Sequence, residues 1–325
     1  MITTLVFRDG RPHGHNPPVE ALATLRNEPG FMLWVDLSAP TPEETAAVLE
    51  RTFALHPVVI EDCTTDSPLP KIDAFDDYLH IVVHAVDYSK TDKFTTTDLD
   101  LVLGKNFLVT FHRQPLRLVQ QVLERHGRSG HAVQPVRGPD RIAHTLLDQL
   151  VEAYKPALEE LRADLEAIEE AVLGEAEPHE LFPQVTALRK DLATLRQIVR
   201  PQRAVAAELA LGKPGFIRPL ILPYLRDLAE DFARIESQTS VWGDQLILTF
   251  RLYLKRSTHQ TNESIKILTG LTALTMPPIL VGGWFGMNFR AMPELVPVWA
   301  YPAAALGTFG FTAALFFYLR RKRWL

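Results

Sequence analysis

Residues 267–289 read ILTGLTALTMPPILVGGWFGMNF, 23 residues without a charged side chain. As a helix the stretch is long enough to cross a hydrocarbon core of about 30 Å. A second uncharged stretch of 25 residues runs from Leu295 to Leu319, and Arg320-Arg321-Lys322-Arg323-Trp324-Leu325 follows it. Only Arg290 to Glu294 separate the two. This layout predicts a C-terminal membrane hairpin with a polar, amide-bearing turn at Gly286-Met287-Asn288, and it makes transport the first hypothesis. The basic run after the second span places the C-terminus in the cytoplasm by the positive-inside rule. Two spans then return the long N-terminal part to the same side.

The rest of the chain reads as soluble. MITTLVFRDGRPHGH at the start has no apolar core and is not a signal peptide. Cys63 is the single cysteine, so no disulfide can form within the chain and a reducing compartment is expected. Residues 152–180 carry ten acids against Lys155 and Arg162, and no basic patch lies outside the tail, which argues against nucleic acid as a partner.

Ile2–Phe7, Phe31–Leu37, Leu79–Val86, Asp98–Leu103 and Phe107–His112 are short β-branched or aromatic runs bounded by Gly, Pro or Asp, as strands are. Thr41-Pro42-Glu43-Glu44 opens a helix with an N-cap, a proline at the first position and acids in the first turn. Another helix is predicted over Pro115–His126. From Pro139 onward the pattern turns to long helices. Apolar residues three and four apart (Leu147, Leu150, Tyr154, Leu158, Leu161, Leu165, Ile168, Val172) predict one helix over Asp140–Leu173. Leu181, Val185, Leu188, Leu192, Leu195 and Val199 predict its antiparallel partner over Pro178–Leu211. A third helix starts near Pro223 and meets no proline until Pro277. At 1.5 Å per residue, its roughly 60 residues would reach on the order of 90 Å, a length that needs neighbours and points to oligomerisation around a shared axis.

Asn262, Ile265, Thr269, Thr272, Met276, Ile279 and Gly283 fall three or four apart and form one stripe along the first span. Such small and hydroxyl residues serve close helix packing, and they equally suit a narrow, non-ionic pore wall. Pro277 and Pro278 leave backbone carbonyls without helix partners, which membrane depth tolerates only inside protein or beside water. Neither span contains a carboxylate. Mg²⁺ releases its water reluctantly, so carbonyl and amide oxygens such as those of Gly286 and Asn288 suit the hydrated ion.

Phe285-Gly286-Met287-Asn288-Phe289 followed by Met292-Pro293-Glu294-Leu295 resembles the signature of the CorA divalent-cation transporters. The two terminal spans and the basic end closing in Trp-Leu agree with that family. So do Tyr253-Leu254 and Thr261-Asn262-Glu263 ahead of the first span, Pro223-Tyr224-Leu225-Arg226-Asp227, and Ile60-Glu61-Asp62 with Pro70-Lys71-Ile72. The resemblance covers essentially the whole chain, and the methionine of the turn sets it apart from relatives of the ZntB type. It implies an α+β cytosolic domain with long helices plus a C-terminal two-helix transmembrane hairpin, assembled as a funnel-shaped homopentamer. The implied layout is a cytosolic α/β domain at 1–138, an antiparallel long-helix pair at 139–222 and a stalk helix at 223–265. It continues with the pore helix at 266–288, an extracellular loop at 289–297, the second transmembrane helix at 298–319 and a cytoplasmic tail at 320–325.

The resemblance further implies a multi-pass protein of the cell (inner) membrane, both termini cytoplasmic, that conducts Mg²⁺ and also Co²⁺ and Ni²⁺. It implies no enzymatic activity and no organic cofactor. Gly286, Met287 and Asn288 become the selectivity filter, Glu294 an acid at the outer mouth, and the stripe the pore lining. Mg²⁺ also becomes a regulatory ligand, held by Glu61 and Asp62 of one subunit and Asp227 of the next. Two carboxylates facing each other across an interface repel unless a cation lies between them. Two residues depart from the family: Arg251, where an acid often marks the cytoplasmic mouth, and Arg290, where an acid often follows the filter. Two alternatives stand beside this reading, a Zn²⁺ or other transition-metal transporter of the same superfamily and a membrane-anchored sensor or scaffold. His80 and His84 on one strand face, and His13 with His15, offer pairs of zinc ligands that lack a third at suitable spacing.

Overall fold

The computed structural model describes residues 1–66, 69–86, 94–127, 136–174, 178–212, 215–287, 297–322 and 324. They divide into two compact units, Met1–Ile247 and Leu248–Leu325.

The first unit is built on strands β1 (Ile2–Arg8), β2 (Arg11–His15), β3 (Phe31–Ser38), β4 (Lys71–Ala74), β5 (Tyr78–Val86), β6 (Thr96–Gly104) and β7 (Phe107–His112). They form one sheet in the order β2-β1-β3-β7-β6-β5-β4. Neighbours are antiparallel except β3 and β7, which run parallel. β5 and β7 are buried along their whole length. Both sheet faces are covered there, which explains why their sequences are apolar runs with little polar alternation.

One face carries Leu33, Val35, Leu37, Val102 and Val109. It is covered by α1 (Val19–Asn27), a π-helical segment (Ala46–Thr52) that continues α2 (Pro42–Thr45), and α3 (Pro57–Thr64), which contribute Leu22, Val48, Leu49, Val59 and Cys63. The expected N-cap at the start of α2 is completed as a capping box: Thr41 Oγ1 accepts from the Glu44 N–H at 3.2 Å, and the Glu44 carboxylate accepts from the Thr41 N–H at 2.9 Å. At α3 the His56 imidazole accepts from the Val58 N–H, and Pro57 takes the first helical position. The opposite face is covered by α4 (Arg117–Gly127) and α5 (Pro139–Glu152); His126 of α4 meets the Trp34 ring edge-on at 6.2 Å.

Where periodicity predicts a single helix over Asp140–Leu173, the structure has two, α5 and α6 (Lys155–Leu173), with a break at Ala153-Tyr154. Pro156 lacks the N–H that would bond the carbonyl of Glu152, and its ring crowds that carbonyl. The break also buries Tyr154 completely, where its hydroxyl accepts from Gln202 Nε2 at 2.6 Å. Gln202 lies near the end of α7 (Pro178–Ala210) and Tyr154 just before the start of α6, so these two helices pack antiparallel, as expected. α8 (Leu222–Phe285) adds a third helix to the pair. Arg203 bonds Glu236 at 2.7 Å, Gln245 bonds Glu169 at 2.7 Å, and Phe232 packs edge-on to Tyr154.

In the second unit, α8 continues through Pro277 and Pro278 as one element, and α9 (Ala300–Arg321) lies beside its last turns. Between them is an apolar cleft of about 440 Å³, lined by Pro278, Val281, Gly282 and Phe285 on one side and Ala304, Thr308 and Thr312 on the other.

An ion pair between buried Asp140 and partly exposed Arg218 ties the start of α5 to the segment leading into α8. Asp140, 3% exposed, accepts from the Arg218 guanidinium at 2.5 and 2.9 Å and from its backbone N–H at 3.0 Å. Removing the arginine leaves a buried carboxylate with a single donor. Arg218→Ala is therefore expected to destabilise the protein by about 2–4 kcal/mol, read as a lowered thermal midpoint. Exposed Arg234→Ala, whose Asp231 partner lies on the same helix, is expected to shift it by less than about 0.5 kcal/mol.

Candidate functional site

Along the last part of α8 most side chains are exposed within the chain, the apolar Leu268, Leu271, Leu280 and Trp284 as well as the predicted stripe. Asn262, Ile265, Thr269, Thr272, Met276, Ile279 and Gly283 are all exposed within the chain. Gly270 is buried, and Ala273, Leu274, Pro277, Val281 and Phe285 are half-buried. The two sets are offset by about two residues, or roughly 200° around a helix of 3.6 residues per turn. The stripe therefore lies roughly opposite the half-buried residues, of which Val281 and Phe285 line the cleft beside α9.

Within the stripe, the hydroxyl protons are already engaged. Thr269 Oγ1 donates to the Ile265 carbonyl at 2.7 Å, and Thr272 Oγ1 donates to the Leu268 carbonyl at 2.9 Å. Each threonine thus offers oxygen lone pairs, which accept the hydrogens that the water shell of a cation donates. On the α9 side, Pro277 and Pro278 carry no N–H, so the carbonyls of Ala273 and Leu274 lose their helical partners.

The end of α8 shapes the start of the predicted filter. Gly286 N–H bonds the Gly282 carbonyl at 2.9 Å, and a Cβ on Gly286 would lie 2.8 Å from that same oxygen. Only glycine fits this turn without moving backbone. Met287 follows it, half-exposed, its N–H directed at the Trp284 carbonyl. Asn288, Arg290 and Glu294 lie outside the described residues.

The acids predicted to hold a regulatory ion lie in the first unit. Glu61 and Asp62 sit on α3; Glu61 is exposed, whereas Asp62 accepts from Lys71 Nζ at 2.6 Å. Burial works against the charge on Lys71, but its bonds to Asp62 and Asp73 outweigh that and raise its pKa. Asp227 is exposed on the first turns of α8. Near it, burial pushes the Asp231 carboxyl up against the pull of Arg234, and Asp227, Asp148 and Glu152 add repulsion. His144, between Arg141 and Tyr224, is held below its usual value mainly by burial, with Asp148 and Asp227 pulling the other way. Asp227 therefore belongs to a negative patch shared by α5 and α8. Arg251 is exposed on α8.

The family model described as CorA-like Mg²⁺ transporter protein matches residues 30–321. The chain belongs to the CorA family. CorA proteins are transporters, not enzymes, and the two candidate spans, in α8 and α9, are long and apolar enough for the membrane that this role requires. The chain is 28% identical over 294 residues to the cobalt/magnesium transport protein CorA of Thermotoga maritima, covering 90% of this chain and 83% of the relative. It is 24% identical over 306 residues to the magnesium transport protein CorA of Helicobacter pylori, covering 92% of each. In fold it is similar to the complete CorA magnesium transporter of Methanocaldococcus jannaschii, with a TM-score of 0.77 over 100% of this chain and 99% of that one at 18% identity.

In this CorA chain the sequence singled out His80 and His84 without finding their partners. The structure pairs His80 Nε2 with Asp100 at 2.8 Å and His84 Nε2 with Asp98 at 3.3 Å. Both acids come from β6, and their spacing from the histidines, 20 and 14 residues, carries no local signal. The strand register alone brings them together.

The glycine geometry makes a test. Gly286→Ala is expected to displace the turn at the end of α8 and sharply reduce Mg²⁺ flux into proteoliposomes. Wild-type flux from that variant would mean the turn has room to adapt.

Proposed function

We propose that this CorA protein is a homopentameric channel that passes hydrated Mg²⁺, and also Co²⁺ and Ni²⁺, down their electrochemical gradient. The observation that carries the reading is the exposed, oxygen-bearing face of α8 opposite α9. In a membrane small and hydroxyl residues favour contact with protein or water. Five copies around one axis provide both, with α9 on the outside of the ring. Asn262, Ile265, Thr269, Thr272, Met276, Ile279 and Gly283 then line the path. Gly286, Met287 and Asn288 close it as the filter, with Glu294 at the outer mouth. Mg²⁺ keeps its waters, so the threonine and amide oxygens bond the hydration shell and not the metal. The relatives, one a cobalt/magnesium and one a magnesium transport protein, support the choice of ions.

In this reading the protein spans the cell (inner) membrane twice, with residues 289–297 outside and both termini in the cytoplasm. The basic side chains Arg320, Arg321 and Lys322 after the second span support that orientation. The membrane potential drives uptake, worth about 4.6 kcal/mol for a divalent ion per 100 mV.

Regulation follows from the acids. A cytosolic Mg²⁺ held by Glu61 and Asp62 of one subunit and Asp227 of its neighbour screens like charges across the interface and favours the closed state. Glu61 and Asp227 are exposed and free to meet a neighbour; Asp62 takes part only when its bond to Lys71 opens.

Two measurements test the two halves. Asn288→Ala is expected to abolish selective Mg²⁺ uptake into proteoliposomes, and unchanged uptake would sink the filter assignment. Asp227→Ala is expected to leave current flowing at high internal Mg²⁺, and inhibition equal to wild type would place the regulatory ion elsewhere.

A further inference from the structure

On the edge of the sheet, three short-range facts meet. The antiparallel pairing of β4 and β5 sets Asp73 directly across from His80, and Lys71 across from Val82 on the same face. α3 lies over that face and brings Asp62 to Lys71 at 2.6 Å, while Asp73 reaches the same ammonium at 3.3 Å. His80 is fully buried, and its Nε2 is taken by Asp100 at 2.8 Å. A carboxylate can only accept, so Nε2 carries a proton, and in the neutral imidazole Nδ1 presents a lone pair. That Nδ1 has no hydrogen-bond partner and lies 3.9 Å from Asp62 Oδ2. The donor atoms of Asp62, Asp73 and His80 all lie within 4.8 Å of one another.

Such an arrangement can hold a metal ion. A buried acid bonded to the far nitrogen of a histidine fixes its tautomer and turns the other nitrogen toward the ion. We propose that His80 Nδ1, Asp62 and Asp73 form a divalent transition-metal site within one chain, selective for Zn²⁺-type ions over Mg²⁺, with the Lys71 ammonium occupying the cation's place when the metal is not bound.

One imidazole nitrogen and two carboxylates suit Zn²⁺ or Co²⁺, whereas Mg²⁺ prefers oxygen throughout and keeps its water. The charges balance: two carboxylates are half-neutralised by Lys71 and fully neutralised by a divalent ion. Tetrahedral Zn²⁺ with bonds of about 2.0–2.1 Å holds its donors about 3.3 Å apart, so the two carboxylates need to close in by about an ångström. Both can do so, because their side chains are 23% and 46% exposed and stay open to solvent for ion entry. A water completes the fourth position. The Cys63 thiol falls in a separate cluster with His80 and Asp100, where burial and the nearby carboxylates of Asp100 and Asp62 push its pKa up. Binding would pin α3 to the edge strand β4 and release Lys71.

The test is equilibrium binding and does not depend on whether the pore conducts. The full-length protein in detergent is titrated with Zn²⁺ under a large excess of Mg²⁺, which occupies oxygen-only sites. One Zn²⁺ per chain is expected, with one imidazole nitrogen in its X-ray absorption spectrum. Asp73→Asn is expected to weaken binding by on the order of 100-fold, and Lys71→Ala to tighten it at least several-fold by removing the competing cation. Both positions are on an edge strand with partly exposed side chains, so the variants fold whether or not His80→Ala does. Asp227→Ala is expected not to weaken Zn²⁺ binding, and to strengthen it to the extent that Mg²⁺ at the subunit interface competes for Asp62. Affinity that is indifferent to both Asp73→Asn and Lys71→Ala, or that is lost in Asp227→Ala, would overturn the proposal and assign the ion to the subunit interface.

Discussion

A chain that crosses hydrocarbon must satisfy its backbone internally, and this constraint orders everything else in the C-terminal unit. α8 meets it by remaining helical from Leu222 to Phe285, through two prolines. The carbonyls those prolines release, and the half-buried residues around them, fall on the side that meets α9. What remains on the opposite side is a stripe whose threonine protons are already bonded to the helix's own carbonyls. A lipid-facing helix gains nothing from such oxygens. In the proposed pore such a wall orients hydration shells without binding the metal.

The cytosolic unit answers a different demand, that of burying polar groups in a sheet covered on both faces. It does so in pairs set by strand register: His80 with Asp100, His84 with Asp98, and His112 with Asp36 at 3.2 Å. Thr110 bonds Asp36 and in turn accepts from Trp34. Each pair joins residues far apart in sequence, so each also locks a strand order. The Asp140–Arg218 pair does the same for the helices, holding the start of α5 to the approach to α8.

Much of this was legible beforehand. The five apolar strands, the N-cap at Thr41, the antiparallel α6–α7 pair and the two spans all follow from local pattern, because burial on one or both faces imposes a period on the residues themselves. The single helix expected over Asp140–Leu173 did not survive Pro156, a local signal that the strong apolar period masked. β2 and β4, RPHGH and KIDA, have no apolar pattern to read. They are edge strands and exist because β1 and β5 offer them open backbone groups.

The same division runs through the sites. The sequence by itself determined the stripe on the first span and the turn that ends it, since helical periodicity and the need for glycine at position 286 are properties of a few consecutive residues. Only the tertiary structure decided which side of that helix meets α9, and only it gathered Asp62, Asp73 and His80 around one lysine. Faces and ligand sets depend on which segments pack together, and packing is settled by the sum of many distant contacts, which no short stretch of chain encodes.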